Sequence, residues 1–175
     1  MKPGFLESFQ LEKNVGLQKH EGDGSMPMYP AWNTVDRVFV SINVLHTHWA
    51  LGELDLQSWV LTIYDSCGDT FKNQVLEQVS YIKSRLHLYL KKIKYYKGFH
   101  LKSPKPDIKI VYPSYEVPRQ SGALGDCGPW WCTFVEQRIS GSNVFCSGSA
   151  SKYAMQFGHR MTTIMHHSIS VMCDN

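Results

Sequence analysis

The chain contains no Cys-x-x-Cys pair, no apolar run approaching the roughly 18 residues a membrane helix needs, and no strong excess of charge of either sign. Each absence removes a class of function. The five cysteines, Cys67, Cys127, Cys132, Cys146 and Cys173, leave one unpaired, which argues against a secreted disulfide framework and a zinc knuckle and fits a reducing compartment. A net charge of +3 is too mild for the concentrated Lys and Arg stripe that phosphate binding requires, so no nucleic acid is expected as a partner. The opening Met1-Lys2-Pro3-Gly4-Phe5-Leu6-Glu7 has no apolar core of signal-peptide length. The expectation is a soluble intracellular protein of the nucleus or cytoplasm, with no membrane partner. Internal repeats and low-complexity tracts are lacking too, which leaves an ordinary globular composition of 43% hydrophobic and 13% aromatic residues over 175 positions, the size of one domain.

Residues 1–30 mix charge, glycine and proline without sustained periodicity and read as a loop or linker, with Glu21-Gly22-Asp23-Gly24-Ser25-Met26-Pro27 its most turn-like stretch. The folded domain is expected over 31–175. Arg37 to Val44 carries the β-branched run Val38, Val40, Ile42 and Val44 with Phe39, which predicts a central strand buried on both faces. Thr47 to Asp55 and Trp59 to Ser66 read as a β-hairpin. A turn over Asp55-Leu56-Gln57-Ser58 pairs Asp55 with Ser58 and puts His48 directly across from Asp65, within hydrogen-bonding reach. From Asp69 to Tyr96 the positions Phe71, Val75, Val79, Ile82, Leu86, Leu90 and Ile93 step by three or four and predict an amphipathic helix. Its basic end, Lys91, Lys92, Lys94 and Lys97, complements the helix dipole and needs no docking role. After the loop Ser103-Pro104-Lys105-Pro106, Ile108 to Tyr112 reads as a strand. A closing helix is expected over 150–167, on the spacing of Tyr153, Ala154, Phe157, Met161, Ile164 and Met165.

The stretch around which the rest is arranged is Gln120-Ser121-Gly122-Ala123-Leu124-Gly125-Asp126-Cys127-Gly128, a glycine-rich turn delivering one cysteine into a helix-like run of Trp130, Trp131, Phe134, Val135, Arg138 and Ile139. Free N–H groups and the positive end of a helix dipole both favour thiolate over thiol, which makes Cys127 the candidate nucleophile. A thiol nucleophile needs an imidazole that pairs with it and a group that fixes the imidazole's orientation, and His48 and Asp65 fill those roles. Gln120, with the Cys127 backbone N–H, can donate hydrogen bonds to a developing oxyanion.

The ordered set His48-Trp49, then Tyr64-Asp65-Ser66 seventeen residues on from the histidine, then Gln120 with Gly125-Asp126-Cys127-Gly128, resembles the catalytic core of the SUMO protease family of ubiquitin-like-protein-specific cysteine proteases, most closely its divergent plant branch. The similarity runs from about Trp32 to Met165. It implies a papain-like α+β fold, a central mixed or antiparallel sheet flanked by helices, so that residues 31–175 form a cysteine protease domain. It also implies cleavage after the C-terminal Gly-Gly of SUMO or a related modifier, no metal or other cofactor, and action as a monomer. By resemblance Cys127 is the nucleophile, His48 its base, Asp65 the orienter, Gln120 the oxyanion donor, and Trp49 lines the channel for the glycine pair. Two features depart from the family pattern. Gln120 stands seven residues before Cys127 where relatives commonly have six, and the first 30 residues hold no counterpart of the lid tryptophan that closes over the glycines.

His46 alternates with His48 and in the inferred register faces Cys67, giving a second Cys-His pair, but Cys67 sits at a strand end with no helix N-terminus to hold a thiolate. His166 and His167 diverge on a helix and make a poor metal pair. Cys132, Cys146 and Cys173 read as core or incidental thiols, and Trp130-Trp131 as packing. Two other functions stay open: a weakly active or inactive modifier-binding module of the same fold, and an acyltransferase, although acyltransferases with this order usually carry Glu where this chain has Asp65.

Overall fold

The computed structural model describes residues 22–25, 29–44, 47–97, 107–122, 126–146, 149 and 151–160. Among the described residues four strands form one sheet in the order β1 (Arg37–Val44), β2 (His48–Asp55), β3 (Val60–Tyr64) and β4 (Lys109–Val111). The first three run antiparallel and β4 joins β3 in parallel, reached through the long helix α1 (Lys72–Lys92). A parallel neighbour demands such a crossover, because its chain must return to the same end of the sheet. The architecture is the mixed α+β layering expected of a papain-like fold. One expectation fails: β1 ends the strand order among the described residues and is not central. Its unbroken β-branched run reflects cover on both faces at the sheet's edge. Val40, Ile42 and Val44 enter one core, while Phe39 packs half-buried against the other.

Those two cores explain where the helices sit. Strand side chains alternate between faces, so Ala50 and Leu54 of β2 join Leu61 and Ile63 of β3 under α1, where Val75, Val79, Ile82, Leu86 and Leu90 are buried. Each such side chain contributes roughly 1.5–3 kcal/mol of burial, which is why the strongest periodicity in the sequence produced the longest helix. Leu51 and Tyr64 on the opposite face meet Trp130, Phe134 and Val135 of the second helix, α2 (Cys127–Ile139).

Both helices stop for a visible reason. At the end of α1 the Tyr95 N–H reaches the Leu90 carbonyl at 2.9 Å and the Lys94 N–H the Lys91 carbonyl at 3.2 Å, with Lys94 at φ 57°. The same double bond closes α2, with Gly141 in the left-handed position at φ 79° and N–H groups of Gly141 and Ser142 on the carbonyls of Arg138 and Gln137. Helix α1 starts at Lys72 rather than Asp69, because Phe71 occupies the capping position with its carbonyl accepting the Val75 N–H at 2.8 Å. Of the closing helix, 151–160 is described and helical; 161–175, which hold Met161, Ile164, Met165, His166, His167 and Cys173, lie outside the described residues, as do 1–21, His46, the Ser103–Pro106 loop and 123–125.

The hairpin register differs from the one inferred. Asp55 pairs with Val60, not Ser58, and Leu51 with Tyr64. The cause is local. Asp55 Oδ1 accepts the N–H groups of Gln57 at 2.9 Å and Ser58 at 2.7 Å, and Trp59 takes a left-handed φ of 56°, so the loop is two residues longer than a tight hairpin turn. A displacement of two residues preserves the face of every side chain, where a displacement of one would have reversed it. His48 and Asp65 therefore stay on one face, as diagonal rather than direct neighbours.

Candidate active site

The site forms where β2, the turn after β3 and the first residue of α2 converge. His48 opens β2 on the α1 face and is wholly buried. Its Nε2 lies 2.8 Å from Asp65 Oδ1. Asp65, itself buried, also accepts the Cys67 backbone N–H at 2.8 Å on the same oxygen, which fixes the carboxylate from behind. With Nε2 occupied, the remaining ring nitrogen is defined. Nδ1 is buried and takes no hydrogen bond, so the imidazole has one committed edge and one open edge.

Cys127 begins α2 and is buried, and its Sγ–H lies 3.9 Å from the Thr47 carbonyl. Its pKa is held below the ordinary thiol value. Interaction with His48 is the largest influence, opposed by burial and aided by the backbone N–H groups of Trp49 and Gly128, which face the sulfur. For His48 burial alone is the strongest single influence and pushes downward, but Asp65 and Cys127 together outweigh it and raise the imidazole to about 9. The two shifts describe one event, transfer of the thiol proton to the imidazole. Each shift favours the charged form of its own group, so together they favour a buried thiolate–imidazolium pair over the neutral pair.

Cys67 makes the contrast. Burial first, then the negative charges of Asp65 and Cys127, push its thiol up to about 11, so the rival nucleophile is a protonated thiol at neutral pH. Burial likewise pushes up Cys132 and Cys146. One nitrogen of His48, one oxygen of Asp65 and the Cys67 sulfur lie within 4.8 Å of one another and could surround a metal ion. Such binding must displace protons from both the imidazole and the thiol, and must separate the His48–Asp65 hydrogen bond. That donor set is better matched to proton transfer than to a metal.

Gln120 is half-exposed on the segment before α2. The Ser66 hydroxyl donates to its Oε1 at 2.8 Å, its own backbone N–H reaches the Ser66 carbonyl at 3.0 Å, and its Nε2 donates to the Gly122 carbonyl at 2.5 Å. One amide N–H is left over. Trp49 is half-buried, its backbone N–H toward the Cys127 sulfur and its side chain on the opposite sheet face from His48.

Two contributors had no signal that sequence reasoning could read. Phe71, counted as one more apolar step of a helix, stacks on the His48 ring with centroids 4.8 Å apart and planes at 15°. Buried Glu53 and Tyr64, half-buried Arg138 and exposed Arg37 form a network at the other end of the α2 contact. Arg138 Nε lies 2.7 Å from Glu53 Oε2, the Tyr64 hydroxyl 2.8 Å from the same oxygen, and Arg37 Nη1 3.1 Å from Oε1. Burial would raise the Glu53 carboxyl, but these donors, Arg138 foremost, hold it below the carboxylate range. A polar cavity of about 280 Å³ opens behind Asp65, lined by Asp69, Lys72, Tyr112 and Arg119, with neither His48 nor Cys127 in its wall.

The chain is similar to known proteins in sequence pattern and in fold. Residues 25–157 match the Ulp1 protease family, C-terminal catalytic domain. Among solved structures, the C-terminal Ulp1 protease domain in complex with Smt3, the yeast ortholog of SUMO, superposes with a TM-score of 0.61 at 16% identity, covering 88% of this chain and 61% of that one. The SUMO protease Ulp1 with its catalytic cysteine oxidized to a sulfenic acid gives a TM-score of 0.60 at 18% identity, over 90% of this chain and 63% of that one. The chain thus spans somewhat under two thirds of these structures. No curated protein matches by sequence. The chain belongs to the Ulp1 protease family.

Proposed function

We propose that this Ulp1-family chain is a cysteine-type peptidase and isopeptidase that cleaves after the C-terminal Gly-Gly of SUMO or a related ubiquitin-like modifier. What supports the reading is that Cys127, the first residue of α2, meets His48, whose Nε2 lies 2.8 Å from Asp65 Oδ1, and that the pair shifts toward its charged forms. A sulfur shifted toward thiolate, in a buried site at the first turn of a helix, supplies the nucleophile such a cleavage needs.

The steps follow from the donors and acceptors. The Cys127 sulfur attacks the carbonyl carbon of the terminal glycine, and a C–S bond forms as the carbonyl electrons move onto oxygen. The backbone N–H of Cys127 and the remaining N–H of Gln120 receive that oxyanion. As the intermediate collapses, the C–N bond breaks and His48 Nδ1 delivers its proton to the leaving amine, an α-amino group in precursor processing or a lysine ε-amine in deconjugation. Neutral His48 then takes a proton from water. The resulting hydroxide attacks the thioester, the C–S bond breaks, and the modifier leaves with a free carboxylate. Throughout, Asp65 keeps Nε2 protonated, so that Nδ1 is always the nitrogen exchanging protons. Trp49 adjoins the sulfur through its own backbone and serves as the wall of the glycine channel. No metal or organic cofactor takes part in this scheme.

A test uses a panel of ubiquitin-like modifiers carrying a C-terminal vinyl sulfone. A competent thiolate forms a stable adduct at Cys127, identified by mass spectrometry, with SUMO preferred over the other modifiers. Binding to the modifier without an adduct would leave a recognition module in place of a protease. Turnover of acetyl-CoA in place of modifier would identify an acyltransferase.

A further inference from the structure

The in-plane neighbours of His48 leave one degree of freedom unaccounted for. Asp65 fixes where Nε2 points and Cys127 attracts Nδ1, but both lie at the ring's edge, and neither resists tilting of the ring plane about the line between them. The only aromatic ring stacked on the imidazole face among the described contacts is Phe71, at 4.8 Å and 15°. Its own position is well fixed. Phe71 caps α1, its carbonyl holds the Val75 N–H at 2.8 Å, and its half-buried ring packs on the core beneath that helix. The electron-rich face of a benzene ring attracts a cation and offers less to a neutral imidazole.

We propose that Phe71 is a positioning residue of the site: its ring sets the plane of His48 and favours the imidazolium form, and so stabilises the Cys127 thiolate through its partner. This rests on the charge-paired reading of the two residues given above. The other groups facing His48 are Asp65 and Cys67 from the turn after β3 and Cys127 from α2. The nearby charges at the start of α1, Asp69 and Lys72, pair with each other at 3.1 Å.

The experiment measures the rate at which iodoacetamide alkylates Cys127 as a function of pH, site by site with mass spectrometry, in the full chain. The wild type, Phe71→Leu and Phe71→Trp are compared. Wild type is expected to react well below the ordinary thiol pKa, with a second rise near 9 as His48 loses its proton. In Phe71→Leu, which keeps apolar bulk but lacks the aromatic face, the upper step should move down by about half to one pH unit, while the lower step, which has the imidazolium on both sides, should stay nearly in place. Hydrolysis should fall about three- to tenfold. Phe71→Trp should restore the upper step. Superimposable profiles for wild type and Phe71→Leu would overturn the proposal, and so would a Phe71→Trp profile displaced as far as the leucine one, which would mark the residue as a mere core filler. A wild type with no low-pH step at Cys127 would instead sink the charge-paired reading itself, and this proposal with it. Should Phe71→Leu fail to fold by circular dichroism, Phe71→Met makes the same comparison.

Discussion

Two polar clusters clamp the same three elements, β2, the β3 end and α2, yet differ in one respect. At the last turn of α2, Glu53 takes four hydrogen bonds from Arg138, Tyr64 and Arg37, so each of its oxygens is doubly satisfied. At the first turn, His48 has one nitrogen satisfied and one bare, beside a sulfur whose pKa is displaced. A complete network locks geometry, and an incomplete one keeps a position open for a reacting atom. The comparison assigns holding to one end of the helix and chemistry to the other. Substitutions at the two ends should therefore affect different measurements.

The largest effect is expected at the incomplete end. Cys127→Ser should lower hydrolysis of a modifier substrate by about 10⁴-fold or more, because an alcohol there has no comparable acidity, while the melting temperature stays within a few degrees. If Cys127→Ser keeps its rate and Cys67→Ser loses it, the nucleophile has been assigned to the wrong cysteine. The pH profile tests the same pairing. His48 is raised to about 9 and Cys127 lowered, so the reactive pair exists above the depressed thiol pKa and is lost as pH rises through about 9. A kcat/KM profile whose alkaline limb lies near 6.5, the ordinary imidazole value, would contradict the pairing.

Asp65→Asn comes next, at about 10²–10⁴-fold, since the amide can keep the Cys67 N–H but carries no charge to balance an imidazolium. The alkaline limb should move down from 9 as the support for the protonated ring is lost. An unchanged rate would mean that His48 is oriented by something else, with Phe71 the first alternative.

How much of this was legible in the sequence depends on the range of the interaction. The periodicity that built α1 and the glycine-rich turn that delivered Cys127 are local, and the chain spells them out. The pairing of His48 with Asp65 was legible only as a shared face. An Asx turn at Asp55 and a left-handed Trp59 lengthened the loop, and only an even displacement kept the two side chains together. The edge position of β1 was hidden because side chains report the cover on a strand's two faces and not whether a neighbouring strand lies on each side. Glu53, Arg138 and Phe71 could not be found at all. A Glu in a strand, an Arg in a last helical turn and a Phe at helical spacing each have an ordinary surface or core explanation, and only tertiary contact gives them another.

A third prediction concerns the half-satisfied amide of Gln120. Ser66 holds its oxygen and Gly122 takes one of its two amide hydrogens, which orients the group and leaves one donor. Gln120→Ala should lower kcat about 10²-fold with KM nearly unchanged, because an oxyanion bond strengthens mainly in the transition state. A loss below about threefold, roughly 0.65 kcal/mol, would remove Gln120 from the reaction and leave the Cys127 N–H as sole donor.

On the rate, the smallest effect should come from the complete cluster, and that is the sharpest test of the comparison. Glu53→Gln keeps the shape and an acceptor for Tyr64 but leaves the guanidinium of Arg138, whose side chain is 16% exposed, without its countercharge. Breaking such a pair costs about 3 kcal/mol, at the lower end for buried ion pairs because Arg138 reaches solvent, and should lower the melting temperature by about 6–12 °C. The rate per folded molecule should stay within about threefold, since Cys127 and His48 sit a helix length away. The acid behaviour gives an independent sign. Glu53 is depressed in the folded state, so its contribution is complete above the ordinary carboxylate pKa and is lost as pH falls through the depressed value. Wild-type stability should therefore decline on acidification more steeply than that of Glu53→Gln. Were the substitution to leave stability intact and cut the rate as deeply as Asp65→Asn, the two ends of α2 would have exchanged roles, and completeness of hydrogen bonding would not distinguish a clamp from a reactive site.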